Sequence, residues 1–339
     1  MTAYVLGVRG FVPENVVSND DLVAGNPGWD SDKIFEKTGI RSRNVASPDQ
    51  TSSDLGFIAA DGLLTSLNFD RSQVDAILFC TQTPDFLLPS SACILQSRLG
   101  LSTRCAAFDF NLGCSGFVYG LWIAKSLVES QAATNVLIVV GETYSKLCNP
   151  HDMVTVTIFG DGGGAALVSS NSVGAIASLG AFVVGTDGRG AENLIVRAGA
   201  ARHPRTATTA LAVTDEKGNQ RSDEQLFMNG PEVFSFTLKS VSSGIQELLD
   251  KSGLEWNEID LFLFHQANAF MLGKLREKMR IPAEKLPICF EKTGNTVSAT
   301  IPLLLDYCRD NSIVQPGFRS VLAGFGVGYS WAFCLLHWK

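Results

Sequence analysis

The chain has 339 residues, 45% of them hydrophobic and 18% charged, with a net charge of −7. That length accommodates two domains or one double-sized unit around a large core, and the composition excludes a disordered or fibrous protein. The acidic balance argues against nucleic acid as the main partner, because a phosphate backbone selects a basic surface.

Arg9, Pro13 and Glu14 interrupt the apolar run of the N-terminal stretch MTAYVLGVRGFVPENVVSNDD, which also lacks a basic leader. It reads as a strand rather than a signal peptide. VDAILFC (74–80) and NVLIVVG (135–141) read as buried strands, as do IDLFLFH (259–265) and SVLAGFG (320–326). SSACILQSRLG (90–100) and MLGKLREKM (271–279) read as helices. Continuous apolar strands suit a sheet covered by helices on both faces, so the class is α/β. The polar stretch within 186–230 reads as an elaborated loop opening the second half. Ser320–Trp338 carries no Lys, Arg, Asp or Glu, but Gly324, Gly326 and Gly328 interrupt it. Two buried strands and a turn explain it better than a membrane span.

An internal echo supports duplication. QVDAILFC (73–80) aligns with EIDLFLFH (258–265), and NVLIVVGETYS (135–145) with SVLAGFGVGYS (320–330), both at an offset of 185 residues. Two halves are expected, residues 1–172 and 173–339, each of ordinary domain size. The competing reading is that buried strands resemble one another by composition.

Eight cysteines are present without a C-x-x-C pair, which argues against zinc or thioredoxin-like chemistry, and without a signal peptide they read as reduced thiols in the cytoplasm. Cys114 differs from the rest by position. It follows the strand CAAFDF (105–110) and the turn NLG, and it precedes a segment, 117–128, whose one charge is Lys125. At the N-terminus of a buried helix, the dipole and unpaired N–H groups favour a thiolate, so a low-pKa nucleophile is expected. The alternative is a cysteine that simply packs. His265 closes a strand, at the end where α/β sheets bind ligands, or is a satisfied core imidazole. Asn295 stands in KTGNTVSATIP (292–302) at the mouth of an apolar helix, where asparagine is also a common turn and cap residue. FGDGGGAALV (159–168) and GFGVGYSW (324–331) lack P-loop or G-x-G-x-x-G context and read as tight turns.

These residues lie within KTGIRSR (37–43), TQTPDFLLPSSACILQSRLG (81–100), NLGCSGFVYGL (111–121), IFGDGGGAALV (158–168), HQAN (265–268), GNTVSATIPLLL (294–305) and GFGVGYSW (324–331). In that order the motifs resemble the β-ketoacyl-acyl-carrier-protein synthase III family of the thiolase superfamily. The resemblance implies duplicated α/β halves in a five-layered αβαβα fold, and a cytoplasmic homodimer. It implies an acyltransferase of fatty-acid and lipid metabolism. Cys114 takes an acyl group from an acyl-CoA or acyl carrier. Malonyl-acyl-carrier-protein then loses carbon dioxide and condenses with it to give a 3-oxoacyl product. His265 and Asn295 would serve the decarboxylation, and the N–H groups of Cys114 and Val327 an oxyanion hole. Lys37, Leu88, Asn268, Phe325 and Gly326 would contact substrate. No metal or redox cofactor is implied, and no nucleic-acid or membrane partner. Lys274, Arg276, Lys278 and Arg280 make either a docking face for an acidic carrier or a solvated helix face.

Several positions depart from the better-known starter enzymes. Lys33 and Lys37 stand where those carry a tryptophan and an arginine around the CoA adenine, and Met153 replaces a second arginine. Leu88 stands where many carry a phenylalanine that limits the acyl pocket across the dimer interface. A carrier-bound or larger acyl donor becomes credible. The order Cys, His, Asn also occurs in papain-like proteases, but their cysteine motif lies near the mature N-terminus and differs from Leu-Gly-Cys-Ser-Gly. A transferase passing the acyl group to another acceptor, in secondary metabolism or polysaccharide acyl supply, stays open. So does a non-catalytic acyl-binding subunit, although the intact Cys-His-Asn set argues against it.

Overall fold

The apolar runs become strands of one long sheet in this computed structural model, which describes residues 2–339. Along the chain come β1 (Tyr4–Phe11), β2 (Val16–Ser18), α1 (Asn19–Ala24), α2 (Ser31–Thr38), β3 (Ser42–Asn44), α3 (Ser52–Ser66), β4 (Ala76–Cys80), α4 (Ser91–Arg98), β5 (Ala106–Phe110), α5 (Gly116–Glu129), β6 (Asn135–Glu142), α6 (Met153–Val156) and β7 (Gly162–Ser169). After a short link follow β8 (Ala177–Thr186), β9 (Leu194–Ile195), β10 (Val213–Thr214), β11 (Gln220–Arg221), β12 (Phe227–Met228), α7 (Gly230–Ser252), β13 (Leu261–Phe264), α8 (Ala269–Met279), α9 (Thr300–Asp310), β14 (Arg319–Gly326) and β15 (Ser330–Trp338). The polar 186–230 region thus holds two small ribbons, β9 with β12 and β10 with β11.

The main sheet runs β13-β14-β15-β8-β1-β7-β6-β4-β5. Its two halves repeat one pattern of directions. β4 and β6 are parallel, β6 and β7 antiparallel, β7 and β1 antiparallel. β13 and β14 are parallel, β14 and β15 antiparallel, β15 and β8 antiparallel. The halves join through two paired positions, Tyr4 with Ser178 and Val5 with Ala177. The sheet folds over at this narrow seam, and α5 and α9 fill the space between the halves. One apolar cluster joins Phe117, Leu121 and Leu304 of these helices to Ile138 of one half and Leu322 of the other. α3 and α4 cover the outer face of the first half around Phe79 and Leu137. α7 and α8 cover that of the second around Phe262 and Phe333. The layers are helix, sheet, helix, sheet, helix. Among the described residues no helix is long and apolar enough to cross a membrane.

The hairpin over Ser320–Trp338 forms as the sequence indicates, with Val327–Tyr329 as its turn. The GGG run differs from its expectation. Gly162, Gly163 and Gly164 lie inside strand β7 and not in a turn. Helices press on both sides of them. A methyl group at Gly163 would stand 2.3 Å from the Leu55 carbonyl oxygen of α3, and one at Gly164 2.3 Å from the Pro302 ring of α9. The run is therefore a packing device, which lets two helices approach one strand closely.

Gly163→Ala should destabilise the protein by about 3 kcal/mol through overpacking against backbone that cannot rotate away. Chemical denaturation of the variant beside the parent measures it; a change under about 0.5 kcal/mol would contradict this packing.

Candidate active site

Close backbone approach sets the site. Cys114 occupies the turn between β5 and α5, with Gly116 N–H donating to the Gly113 carbonyl at 2.8 Å. A Cβ on Gly113 would stand 2.5 Å from Gln82 Oε1 and 2.8 Å from Val327 Cγ1; one on Gly116 would stand 2.2 Å from Cys80 Sγ. From the other half, a Cβ on Gly324 would lie 2.8 Å from Ser115 Cα, and one on Gly326 3.1 Å from Cys114 Sγ. Glycines on both sides thus let the end of β14 touch the cysteine turn. The Ser115 and Ser330 hydroxyls, 2.7 Å apart, stitch the contact. Neither the Cys114 nor the Val327 N–H is taken by a backbone carbonyl among the described residues.

His265 lies one residue past β13. Its N–H donates to the Ala323 carbonyl at 2.8 Å, extending the ladder to β14. Its ring meets Phe325 edge-on at 5.5 Å between centroids. Nδ1 is 2.7 Å from Thr300 Oγ, and that hydroxyl donates to the Val297 carbonyl at 2.9 Å. In this arrangement Nδ1–H donates to Thr300, and Nε2 presents a lone pair. If the Thr300 hydroxyl rotates to donate to Nδ1, Nε2 carries the proton instead. A hydroxyl partner serves both tautomers.

Asn295 is held by the segment that contains the glycine cluster. Its N–H donates to the Ile158 carbonyl at 2.9 Å, and its carbonyl accepts from Gly160 N–H at 3.0 Å. The passage is tight, since a Cβ on Gly160 would stand 2.3 Å from the Thr293 carbonyl, and Gly294 has φ +70°. The buried Arg43 braces the same place by donating to the Thr157 carbonyl at 3.0 Å and to Asn19 Oδ1 at 2.7 Å. Asn295 Oδ1 accepts from Val297 N–H at 2.9 Å. That fixes the amide, leaving Nδ2 free to donate elsewhere. Val297 is a β-branched residue at φ +56°, a strained conformation of the kind that collects at functional sites.

Cys114, His265, Asn295, Phe325 and Gly326 line one cavity of about 1130 Å³, together with Lys37 and Asn268. Asn268 also caps α8, its Oδ1 accepting from Met271 N–H at 2.8 Å. The first four are buried, whereas Asp30, Lys33, Glu36, Lys37, Lys217 and Phe270 are exposed lining residues and form a basic and aromatic rim. Met153 lines the cavity as well. Leu88 is 82% exposed and does not line the cavity of its own chain. Lys274, Arg276, Lys278 and Arg280 lie outside it too. Lys274 pairs with Glu277 at 2.8 Å, and Lys278 donates to the Leu238 carbonyl at 2.7 Å.

The expected low-pKa thiol is not what this geometry gives. Burial first, and the Glu142 carboxylate second, push the Cys114 thiol well above its ordinary range. Burial likewise lowers His265 to about 3, partly opposed by the Val297 carbonyl. Two neutral groups therefore rest at the buried end of the cavity. The helix terminus is a local advantage, and desolvation of the buried sulfur outweighs it.

Sequence reasoning missed Thr300 and Glu142. Thr300 lies five residues beyond Asn295 and reads as an ordinary first-turn residue. Glu142 ends the apolar run of β6, and a carboxylate at the carboxyl end of a buried strand was the available signal.

Comparison with known proteins gives a consistent result. The model of the 3-oxoacyl-[acyl-carrier-protein] synthase III family matches residues 108–188, and that of its C-terminal part matches residues 249–338. A β-ketoacyl-[acyl-carrier-protein] synthase III of Caldanaerobacter subterraneus subsp. tengcongensis is 36% identical over 100% of this chain and 98% of its own. A crystal structure of a 3-oxoacyl-(acyl-carrier-protein) synthase III superposes with TM-score 0.96 at 47% identity, covering 100% of both chains. A 3-oxoacyl-(acyl-carrier-protein) synthase from Burkholderia xenovorans LB400 superposes with TM-score 0.89 at 38% identity, covering 99% of this chain and 94% of its own.

Thr300→Val should leave the imidazole Nδ1 without its partner and lower turnover about 10- to 100-fold. Thr300→Ser should retain activity. Nitrogen NMR of labelled histidine in both variants reads the tautomer directly, and an unchanged His265 signal in the valine variant would refute the role of the hydroxyl.

Proposed function

Because the chain belongs to the 3-oxoacyl-[acyl-carrier-protein] synthase III family, we propose that it performs the decarboxylative condensation of an acyl thioester with malonyl-acyl-carrier-protein. The observation that carries this reading is the convergence of Cys114, His265 and Asn295 at the buried part of one cavity. In the first stage the Cys114 proton passes to His265 Nε2 and the sulfur attacks the donor carbonyl. The tetrahedral oxyanion is met by the N–H groups of Cys114 and Val327. Collapse expels the donor thiolate, which takes the proton back from His265, and the acyl group stays on sulfur. Before the second stage the imidazole loses its Nδ1 proton to solvent and gains one at Nε2, the Thr300 hydroxyl turning to donate to Nδ1; Asn295 Nδ2 and His265 Nε2–H then donate to the malonyl thioester oxygen. The carbon–carboxylate bond breaks, carbon dioxide leaves, and the enolate carbon attacks the acyl carbonyl. The carbon–sulfur bond to Cys114 then breaks, and the thiolate takes up a proton from solvent, the one proton that the decarboxylative condensation consumes. Low dielectric makes each of these donors worth more than in water.

Donor identity follows from the rim. Lys33, Lys37 and Lys217 supply charge for a phosphate-bearing thioester, either acyl-CoA or an acyl carrier, without a guanidinium clamp. The basic residues of α8 extend along the helix that starts at the rim and offer an acidic carrier protein a docking face. The eight unpaired cysteines support a reducing, cytoplasmic setting. We also propose a homodimer. β5 is an edge strand that exposes Phe108, and the neighbouring loop exposes Phe86, Leu87 at 94% and Leu88 at 82%. An unpaired edge beside such an apolar patch is normally covered. A partner seated there would bring its Leu88 toward the acyl end of the cavity.

Incubation with a panel of acyl-CoAs and acyl carriers, read by intact-mass spectrometry, should show one acyl adduct that Cys114→Ala abolishes. His265→Ala and Asn295→Ala should keep the adduct and lose malonyl decarboxylation by about 100-fold or more. No adduct with any donor would overturn the reading. An adduct without a 3-oxo product would favour transfer to another acceptor.

Leu87→Asp combined with Phe108→Asp should shift the protein from dimer to monomer in light scattering. A wild-type monomer would overturn the homodimer.

A further inference from the structure

Glu142 is fully buried at the end of β6, and it belongs to neither the thiol, the imidazole nor the amide. Its carboxyl is held from both halves. From the first half, Gln82 N–H lies 3.1 Å from Oε2 and 3.3 Å from Oε1, and the Thr83 hydroxyl donates to Oε2 at 3.2 Å. From the second, the buried Ser298 hydroxyl donates to Oε1 at 3.2 Å. Ser298 sits in the turn Val297–Ala299, between the residue that holds the Asn295 amide and the residue that holds His265. On the other side, the Gln82 side chain lies against Gly113, next to the nucleophile. One carboxyl therefore sits at the junction of the cysteine turn and the Asn295 loop.

We infer that Glu142 is a positioning residue: it ties the loop carrying Asn295 to the half carrying Cys114. The inference rests on the roles given to Cys114 and Asn295 above.

The electrostatics fit this placement. Burial raises Glu142 to about 8, opposed by the Gln82, Ser298 and Thr83 hydrogen bonds and reinforced by Asp161. The other ionisable groups under its influence are Cys80, Cys114 and Tyr144, each pushed upward by it. No cation is among its influences, so nothing repays an ionised carboxylate there by charge pairing. Near neutral pH it holds a proton. Hydroxyl neighbours satisfy it in either state, because Thr83 and Ser298 can accept as well as donate.

The linkage has a definite sign. The folded-state value of about 8 exceeds the ordinary 4.5, so the folded protein holds a proton that the unfolded chain has lost. This stabilising contribution is complete below about 4.5, and it is lost as pH rises through about 8. Glu142→Gln removes the titration while keeping the shape.

The test uses the full-length protein and needs no identified acyl donor for its first arm. Thermal unfolding of the parent and of Glu142→Gln is followed from about pH 5 to 9. The stability of the variant should fall less than that of the parent between about pH 5 and 8. Parallel pH profiles of the two proteins would overturn the placement of Glu142 as a buried carboxyl held at this junction.

The second arm uses Ser298→Ala, which breaks the bridge and leaves the titrating group. It should keep acyl loading, while malonyl decarboxylation falls about tenfold through misplacement of Asn295. An unchanged ratio of loading to decarboxylation would overturn the positioning role. A parent whose stability titrates as described but that accepts no acyl donor would instead count against the proposed function, so the two failures are distinguishable.

Discussion

The rest of the site depends on one contact, the meeting of the Cys114 turn with the end of β14. Gly113 and Gly116 on one side and Gly324 and Gly326 on the other remove the side chains that would keep the halves apart. Each glycine costs conformational entropy on folding. The cost is offset by the apolar core between the half-sheets, where Phe117, Leu121, Leu304 and Leu322 leave water together. The duplicated topology makes this possible. Two half-sheets with the same strand directions fold toward each other at a narrow seam, so the carboxyl ends of β5 and β13 reach a common cavity.

Burial has two effects there. It keeps the thiol and the imidazole neutral at rest, and it strengthens every donor aimed at a developing negative charge. A preformed thiolate in such a place would carry a large desolvation penalty. The structure instead keeps the donors rigid. Asn295 is pinned at its backbone by Ile158 and Gly160 and at its amide by Val297, whose strained backbone is the cost of that orientation. His265 keeps a partner whose hydroxyl can turn, so its position is fixed while its tautomer is not.

The outer surface differs from the interior in how much of it is finished. The β13 end of the sheet carries an ordinary buried strand, whereas the β5 end is edged by exposed apolar side chains and continues into the 86–88 loop. The exposed rim of the cavity mixes three lysines with Asp30, Glu36 and Phe270. The exposed lining residues thus differ in character from the buried Cys114, His265 and Asn295.

The sequence by itself determined the class of fold and singled out Cys114, His265 and Asn295, which the structure brings to one cavity. Apolar runs such as NVLIVVG become strands wherever both faces are covered, and the repeat at an offset of 185 residues marks matching strands, β4 with β13 and β6 with β14. Those signals are local, so they survive without coordinates. Tertiary structure alone decided the rest. A helix N-terminus predicts an acidic thiol, but the desolvation that reverses it depends on what closes over the sulfur. GGG reads as a turn until α3 and α9 are seen to press on the strand that contains it. Glu142 and Thr300 look like a strand end and a helix start. Their significance comes from partners at Ser298 and His265, 156 and 35 residues away, and no local pattern records a contact made by folding one half onto the other.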